Sequence, residues 1–241
     1  TVSNPLISVP NLKEIAEIAH SVNALLIVDN TFMTGALVRP LSLGADLVVN
    51  SLTKFLNGHS DAAGGAVTTT QALCDKIHPV AMLLGTPGDP FSSWLIQRGI
   101  KTASLRIPQQ MHTAEKLAKM LSEHPCVEKV NHPSLPSYPQ KQLADRMFGK
   151  NGRCAMLSFI VEEAPEKIDR FMRALKFPRY APTLGGLHTT LSYPVLSSHA
   201  DVPDETRRKM GITPGMIRVS VGIEDADDLI RDFEQALEVL R

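Results

Sequence analysis

A chain of 241 residues with 25 Lys+Arg against 25 Asp+Glu, 43% hydrophobic and 21% charged, has an ordinary globular composition, which excludes disorder and collagen-like repeats. Zero formal net charge provides no clustered basic face for nucleic acid or an anionic membrane, so a small-molecule partner is expected. No apolar run approaches the roughly 18–20 residues of a membrane span and no export signal opens the chain, so a cytoplasmic location is expected. Cys74, Cys126 and Cys154 are odd in number and lack a CxxC pair, and the eight histidines show no metal spacing, so buried free thiols and no metal are expected. The abrupt start at Thr1-Val2-Ser3-Asn4-Pro5 reads as part of a longer chain.

In chain order, Leu12, Ile15, Ile18, Ala19 and Val22 recur at helical spacing behind an Asn11 cap. The run Ala24-Leu25-Leu26-Ile27-Val28-Asp29 reads as a strand covered on both faces, Asp46 to Asn50 as a second, and Gly64 to Thr70 as a third. Helices are expected over Gln71–Leu84, from about Phe91 after the breaker cluster Gly85 to Pro90, and from about Pro108 to Glu123. Beyond lie strand-like Val127–Val130, Ala155–Val161 and Ile217–Val221, alternating with helix-like Gln140–Phe148, Glu166–Leu175 and Ala226–Leu240. The expected architecture is α/β over residues 1–105, a mostly parallel sheet covered by helices, followed by a smaller α+β domain over 106–241.

Ligands of open α/β sheets collect beyond the carboxyl ends of strands. Asp29 stands at one such end, and Ser51, Thr53 and Lys54 follow the next. A lysine that attacks an aldehyde must lose its proton, which burial and a nearby cation favour. Hydroxyls at Ser51 and Thr53 suit a phosphate, and a carboxylate such as Asp29 keeps a pyridine nitrogen protonated, so the set reads as a cradle for pyridoxal phosphate (PLP).

Val28-Asp29-Asn30-Thr31-Phe32, the stretch Ser51-Leu52-Thr53-Lys54-Phe55-Leu56-Asn57-Gly58-His59-Ser60-Asp61, Gly64-Gly65, Arg98-Gly99-Ile100-Lys101-Thr102, His132-Pro133-Ser134, Leu184-Gly185-Gly186, Ser198-His199-Ala200 and Ile217-Arg218-Val219-Ser220-Val221-Gly222 resemble the Cys/Met-metabolism (transsulfuration) PLP enzymes. That family includes cystathionine γ-synthase, cystathionine γ-lyase, cystathionine β-lyase and methionine γ-lyase. The resemblance implies the type I PLP-transferase fold, PLP held covalently on Lys54, and Lys54 as the proton carrier. It implies Asp29 on the pyridinium nitrogen, Ser51 and Thr53 at the phosphate and ring, and Asn4 near the phenolic oxygen. Arg218 is implied as the clamp on the substrate α-carboxylate, for which a planar fork is suited, with the main chain of Thr183-Leu184 facing the same group. His188 stands where cystathionine-handling relatives often show Glu, and is placed near the distal part of the substrate. His59, Asp61 and Arg98 are read as braces of the lysine loop, and Glu224 and Asp225 as caps of the last helix. The family is longer than this chain; the resemblance implies a homotetramer, a dimer of dimers, with active sites shared between subunits and further site residues in a preceding segment.

The expected reaction is γ-elimination or γ-replacement on a sulfur-containing or O-acylated homoserine-type amino acid. β-Elimination of the cystathionine β-lyase kind and methionine γ-lyase chemistry stay open beside it. From a different class, the chain could be a non-catalytic fragment acting in oligomer assembly. A nicotinamide dehydrogenase is disfavoured because no GxGxxG follows an expected strand.

Overall fold

A computed structural model describing residues 1–149 and 153–241 organises the chain around two sheets. The first contains β1 (Ile27–Asp29), β2 (Leu47–Ser51) and β3 (Gly65–Thr69). β1 and β2 run parallel, with Asp29 opposite Val49, and β3 returns antiparallel with Gly65 opposite Ser51, so the sheet is mixed. Helix α1 (Leu12–Ser21) lays Leu12 on this sheet beside Val28, Ala45 and Val48, and buries Ala16 against Gly44. The Asn11 side chain makes no capping bond; its main-chain carbonyl receives the Ile15 amide.

β1 is not covered on both faces. It is the outer strand of its sheet, Val28 is buried, and Ile27 is 61% exposed on the opposite side. Leu25, Ile18 and Val22 are exposed as well, so only Leu12 and Ala16 of the α1 stripe reach the core. Helix α2 (Thr34–Leu37) and a 3-10 turn, Pro40–Leu43, lead from β1 to β2.

Helices α3 (Gln71–Leu84), α4 (Pro90–Ile100) and α5 (Ala103–Glu123) follow. Asp89 caps α4 by accepting the Ser92 amide, and Pro90 fills the first turn, where its missing N–H costs nothing. α5 begins five residues earlier than the sequence suggests. Pro108 lies inside it rather than at its start, a position that Pro reads as because first turns favour it. The buried stripe of α5 runs through Arg106, Gln110, Ala114, Leu117 and Leu121.

The second sheet comprises β4 (Lys129–Asn131), β5 (Met156–Ile160), β6 (Arg179–Tyr180), β7 (Thr190–Ser192) and β8 (Met216–Ser220), in spatial order β4-β5-β8-β7-β6. Every neighbouring pair is antiparallel except β6 with β7. Helices α6 (Lys141–Phe148), α7 (Pro165–Ala174), α8 (Asp204–Lys209) and α9 (Ala226–Leu237) accompany it. The main core lies here: Phe159 of β5, Phe171 of α7 and Phe233 of α9 are fully buried and meet at centroid distances of 6.0–6.4 Å. Each such ring buries enough area that truncation to Ala costs about 3–5 kcal/mol. Asp225 caps α9 by accepting the Asp227 and Asp228 amides, whereas Glu224 turns away to the Thr189 amide and hydroxyl and is not a cap.

Of the three thiols only Cys154 is buried; Cys74 is exposed and Cys126 intermediate. The Cys154 carbonyl receives Nε2 of His132, whose Nδ1 accepts from Ser134, so the buried ring is held neutral. Burial pushes the His132 pKa down to about 4. The unfolded chain therefore binds one more proton than the folded chain between about pH 4 and 6.5, and stability falls as pH drops through that window. Urea unfolding at pH 7 and pH 4.5 is expected to show a pH-dependent loss about 2 kcal/mol larger for the native chain than for His132→Gln. Equal losses would refute the neutral buried ring. Among the described residues no helix is long and apolar enough to cross a membrane.

Candidate active site at the seam between the sheets

β2 ends at Ser51 and passes straight into a wide, π-type turn, Leu52–Leu56, closed by the Asn57 amide on the Leu52 carbonyl and the Gly58 amide on the Lys54 carbonyl. Lys54 sits in the middle with a backbone that leaves helical values. Its Nζ donates to the Thr183 hydroxyl at 3.3 Å and has no carboxylate partner among the described residues. Burial, and then the Arg218 guanidinium, hold the Lys54 ammonium below the ordinary lysine range.

Arg218 comes from the centre of β8, a strand buried along its whole length, and is 3% exposed. Its two terminal nitrogens donate to Asn4 Oδ1 at 3.0 Å and to the Thr183 carbonyl at 3.1 Å, and its Nε is buried without a partner. Burial brings its pKa down to about 10. A buried guanidinium with no carboxylate partner among the described residues and one donor unspent is prepared for an anionic ligand.

The Thr183–Thr189 segment reaches Lys54 because Gly185, at φ +76°, lies against the lysine turn; a Cβ there would stand 2.6 Å from the Phe55 amide nitrogen. Ser220 of β8 accepts the Gly185 amide, and Gln110 of α5 donates to the carbonyls of Gly186 and Val221. Thus Lys54, Thr183, Arg218 and Asn4 form one continuous chain of contacts. Leu184 follows Thr183 and packs against the main core.

Asn4 also lines a cleft of about 550 Å³ with Asp29, Thr31, Phe32 and Ser51. Asp29 accepts the Thr31 amide through one oxygen, and the Thr31 hydroxyl receives the Ser51 amide. Thr53 is placed differently: its hydroxyl exchanges hydrogen bonds with the amide and carbonyl of Gly64 and so braces the turn. Lys54 is not among the residues lining the cleft; Asn4 is the link between the two. The arrangement fits a phosphorylated pyridine aldehyde on three counts: a carboxylate at the cleft wall, a hydroxyl at the end of β2, and a deprotonation-prone amine beside an unspent cationic donor.

His188 is not brought into this cluster. Its ring is 68% exposed beside Glu224, 4.0 Å from Nδ1 to Oε1, because the loop carrying it passes the far end of β8 after Gly186. His59 and Asp61 do brace the lysine loop, His59 through the Asn57 carbonyl and Asp61 through the Asn57 amide group. Sequence reasoning missed the Thr183 hydroxyl, having assigned only its main chain, and missed Arg106 and Gln110. The signal for the last two was available: a cation and an amide on the apolar stripe of a long helix.

Comparison with known proteins follows the same lines. The profile of the family described as Cys/Met metabolism PLP-dependent enzyme matches residues 1–238. The chain is 42% identical over 239 residues to a cystathionine gamma-lyase of Bacillus subtilis (strain 168), covering 99% of the chain and 62% of that relative. It is 40% identical to a cystathionine beta-lyase of Lactococcus lactis subsp. cremoris (strain MG1363), covering 99% and 62%. A crystal structure of cystathionine gamma synthase from Xanthomonas oryzae pv. oryzae, in complex with aminoacrylate and cysteine, matches with a TM-score of 0.95 at 38% identity, over 99% of this chain and 61% of that one. The chain thus spans less than two thirds of the length of these relatives.

Proposed function

Since the chain belongs to the Cys/Met metabolism PLP-dependent enzyme family, we propose that it carries the lysine and the substrate-carboxylate site of an enzyme acting by γ-elimination or γ-replacement on sulfur-containing or O-acylated homoserine-type amino acids. The observation that carries this reading is the Lys54–Thr183–Arg218 contact chain, an amine without a counter-ion among the described residues next to a buried guanidinium with an unspent donor. Residues 1–105 contribute the amine and residues 106–241 the guanidinium.

Bound covalently through Lys54, PLP supplies an electron sink for carbanion chemistry at the substrate. Asp29 would hold the proton on the ring nitrogen and the Ser51 hydroxyl would donate to a phosphate oxygen, while Thr53 keeps the lysine turn closed through Gly64. Arg218 binds the substrate α-carboxylate bidentately, with Nε as one of the donors now unspent. Lys54 would take the proton from substrate Cα and remove or deliver one at Cβ, and burial beside Arg218, by lowering its pKa below the ordinary lysine range, enlarges the share of neutral amine that can do so. Thr183 orients that amine through its hydroxyl while its carbonyl stays on Arg218. β-Elimination needs only the Cα proton transfer and uses the same residues; relatives named for γ-lyase, β-lyase and γ-synthase activities all match over nearly the whole chain.

The test is to mix the 241-residue chain with PLP, reduce with borohydride and map the labelled peptides. Label concentrated on Lys54 is the expected result. Label spread over the exposed lysines would refute the assignment for this chain.

A further inference from the structure

Arg106 enters from the first turns of α5 and is 6% exposed, yet no carboxylate pairs with it among the described residues. Instead its fork is filled by backbone carbonyls: Phe55 at 3.0 Å on one terminal nitrogen, and Leu56 at 3.1 Å, Asn57 at 3.2 Å and Gly99 at 2.9 Å on the other, with Nε on the Thr102 hydroxyl at 3.0 Å. Three of those carbonyls belong to the three residues that directly follow Lys54. The fourth lies at the end of α4.

A buried cation that solvates carbonyl groups stabilises the negative ends of helical turns, and the geometry here is cut to the guanidinium. Gly58, at φ +74°, leaves the space: a Cβ at that position would stand 2.0 Å from the guanidinium nitrogen. We propose that Arg106 is the positioning residue for Lys54, its planar fork locking the carbonyls of Phe55, Leu56 and Asn57 so that Nζ is aimed at Thr183 and Arg218. This deepens the function proposed above and rests on Lys54 being the cofactor-bearing lysine. Lysine cannot substitute, because one ammonium presents three donors around a point rather than five in a plane.

The test uses the full chain with 13Cε-labelled lysine, Lys54 being assigned by its disappearance in Lys54→Arg, and follows its NMR titration in native protein and in Arg106→Lys. The substitution keeps the charge, so any movement reports geometry. The expected result is that the Lys54 titration rises toward the ordinary lysine value of about 10.4, with the other lysines unmoved, and that borohydride-fixed PLP on Lys54 falls about tenfold or more. A Lys54 titration equal to that of native protein in a folded Arg106→Lys chain would overturn the proposal and leave Arg106 as a brace of the core. If Arg106→Lys does not fold, Thr102→Val decides, since it keeps the guanidinium and removes its Nε acceptor together with that hydroxyl's own bond to the Gly99 carbonyl: a smaller shift in the same direction supports the proposal, and none overturns it. Failure of PLP to label Lys54 in native protein would instead refute the cofactor assignment, while the titration still reads the coupling of Arg106 to Lys54.

Discussion

On the function proposed above, replacing Lys54 by alanine is expected to lower turnover about 10³-fold or more, since general acid–base transfer alone contributes roughly 10²–10⁴-fold and the covalent anchor would be lost with it. The fold is spared. Among the described residues the amine makes a single hydrogen bond, at 3.3 Å to Thr183, and neutralises no carboxylate, so its removal costs no more than about 1 kcal/mol. Steady-state turnover measured beside thermal unfolding separates the two effects. Activity within tenfold of the native enzyme would remove Lys54 from the chemistry.

The second large effect belongs to Arg218. Its replacement by alanine is expected to raise KM for the amino acid about 100-fold, the loss of one charge-assisted pair worth roughly 3 kcal/mol. Arg218→Lys keeps the charge but not the fork, and about a tenfold rise is expected. Because Asn4 and the Thr183 carbonyl also lose their donor in the alanine variant, thermal stability should drop modestly in that variant. An unchanged KM in both variants would mean that the carboxylate is bound elsewhere.

What the sequence disclosed follows from the physics of its patterns. The places of Asp29 and Ser51 at strand ends were legible because each closes a run of apolar residues. The helices α4, α7 and α9 were legible from periodicity and caps. β6 and β7 were not, being two and three residues long, too short for alternation to register. The exposure of Ile27 and Leu25 could not be foreseen, because an apolar run states what a strand is suited to and not what lies next to it.

In the site, what the sequence left open is direction rather than identity. His188 lies five residues from Thr183, and the resemblance places it toward the distal part of the substrate because relatives often show Glu there. The intervening glycines turn the chain along β8, where Glu224 takes the Thr189 amide and carries the imidazole away from the lysine. Thr53 shares a motif with Lys54, yet its hydroxyl is spent on Gly64. Arg106 could have been flagged as a cation on a buried stripe, but its acceptors are main-chain carbonyls, and these leave no trace in side-chain identity.

One consequence of α5 concerns distance. Arg106 grips the turn that bears the amine, and Gln110, four residues on, grips both the loop that bears Thr183 and the end of the strand that bears Arg218. Residues four apart on a helix lie about 6 Å from one another. The gap between the two halves of the site is therefore gauged by one turn of helix, a length that cannot be stretched without breaking its hydrogen bonds. A single residue inserted between Arg106 and Gln110 would swing one grip about 100° around the axis relative to the other, leaving both sheets intact and the amine out of register with the guanidinium.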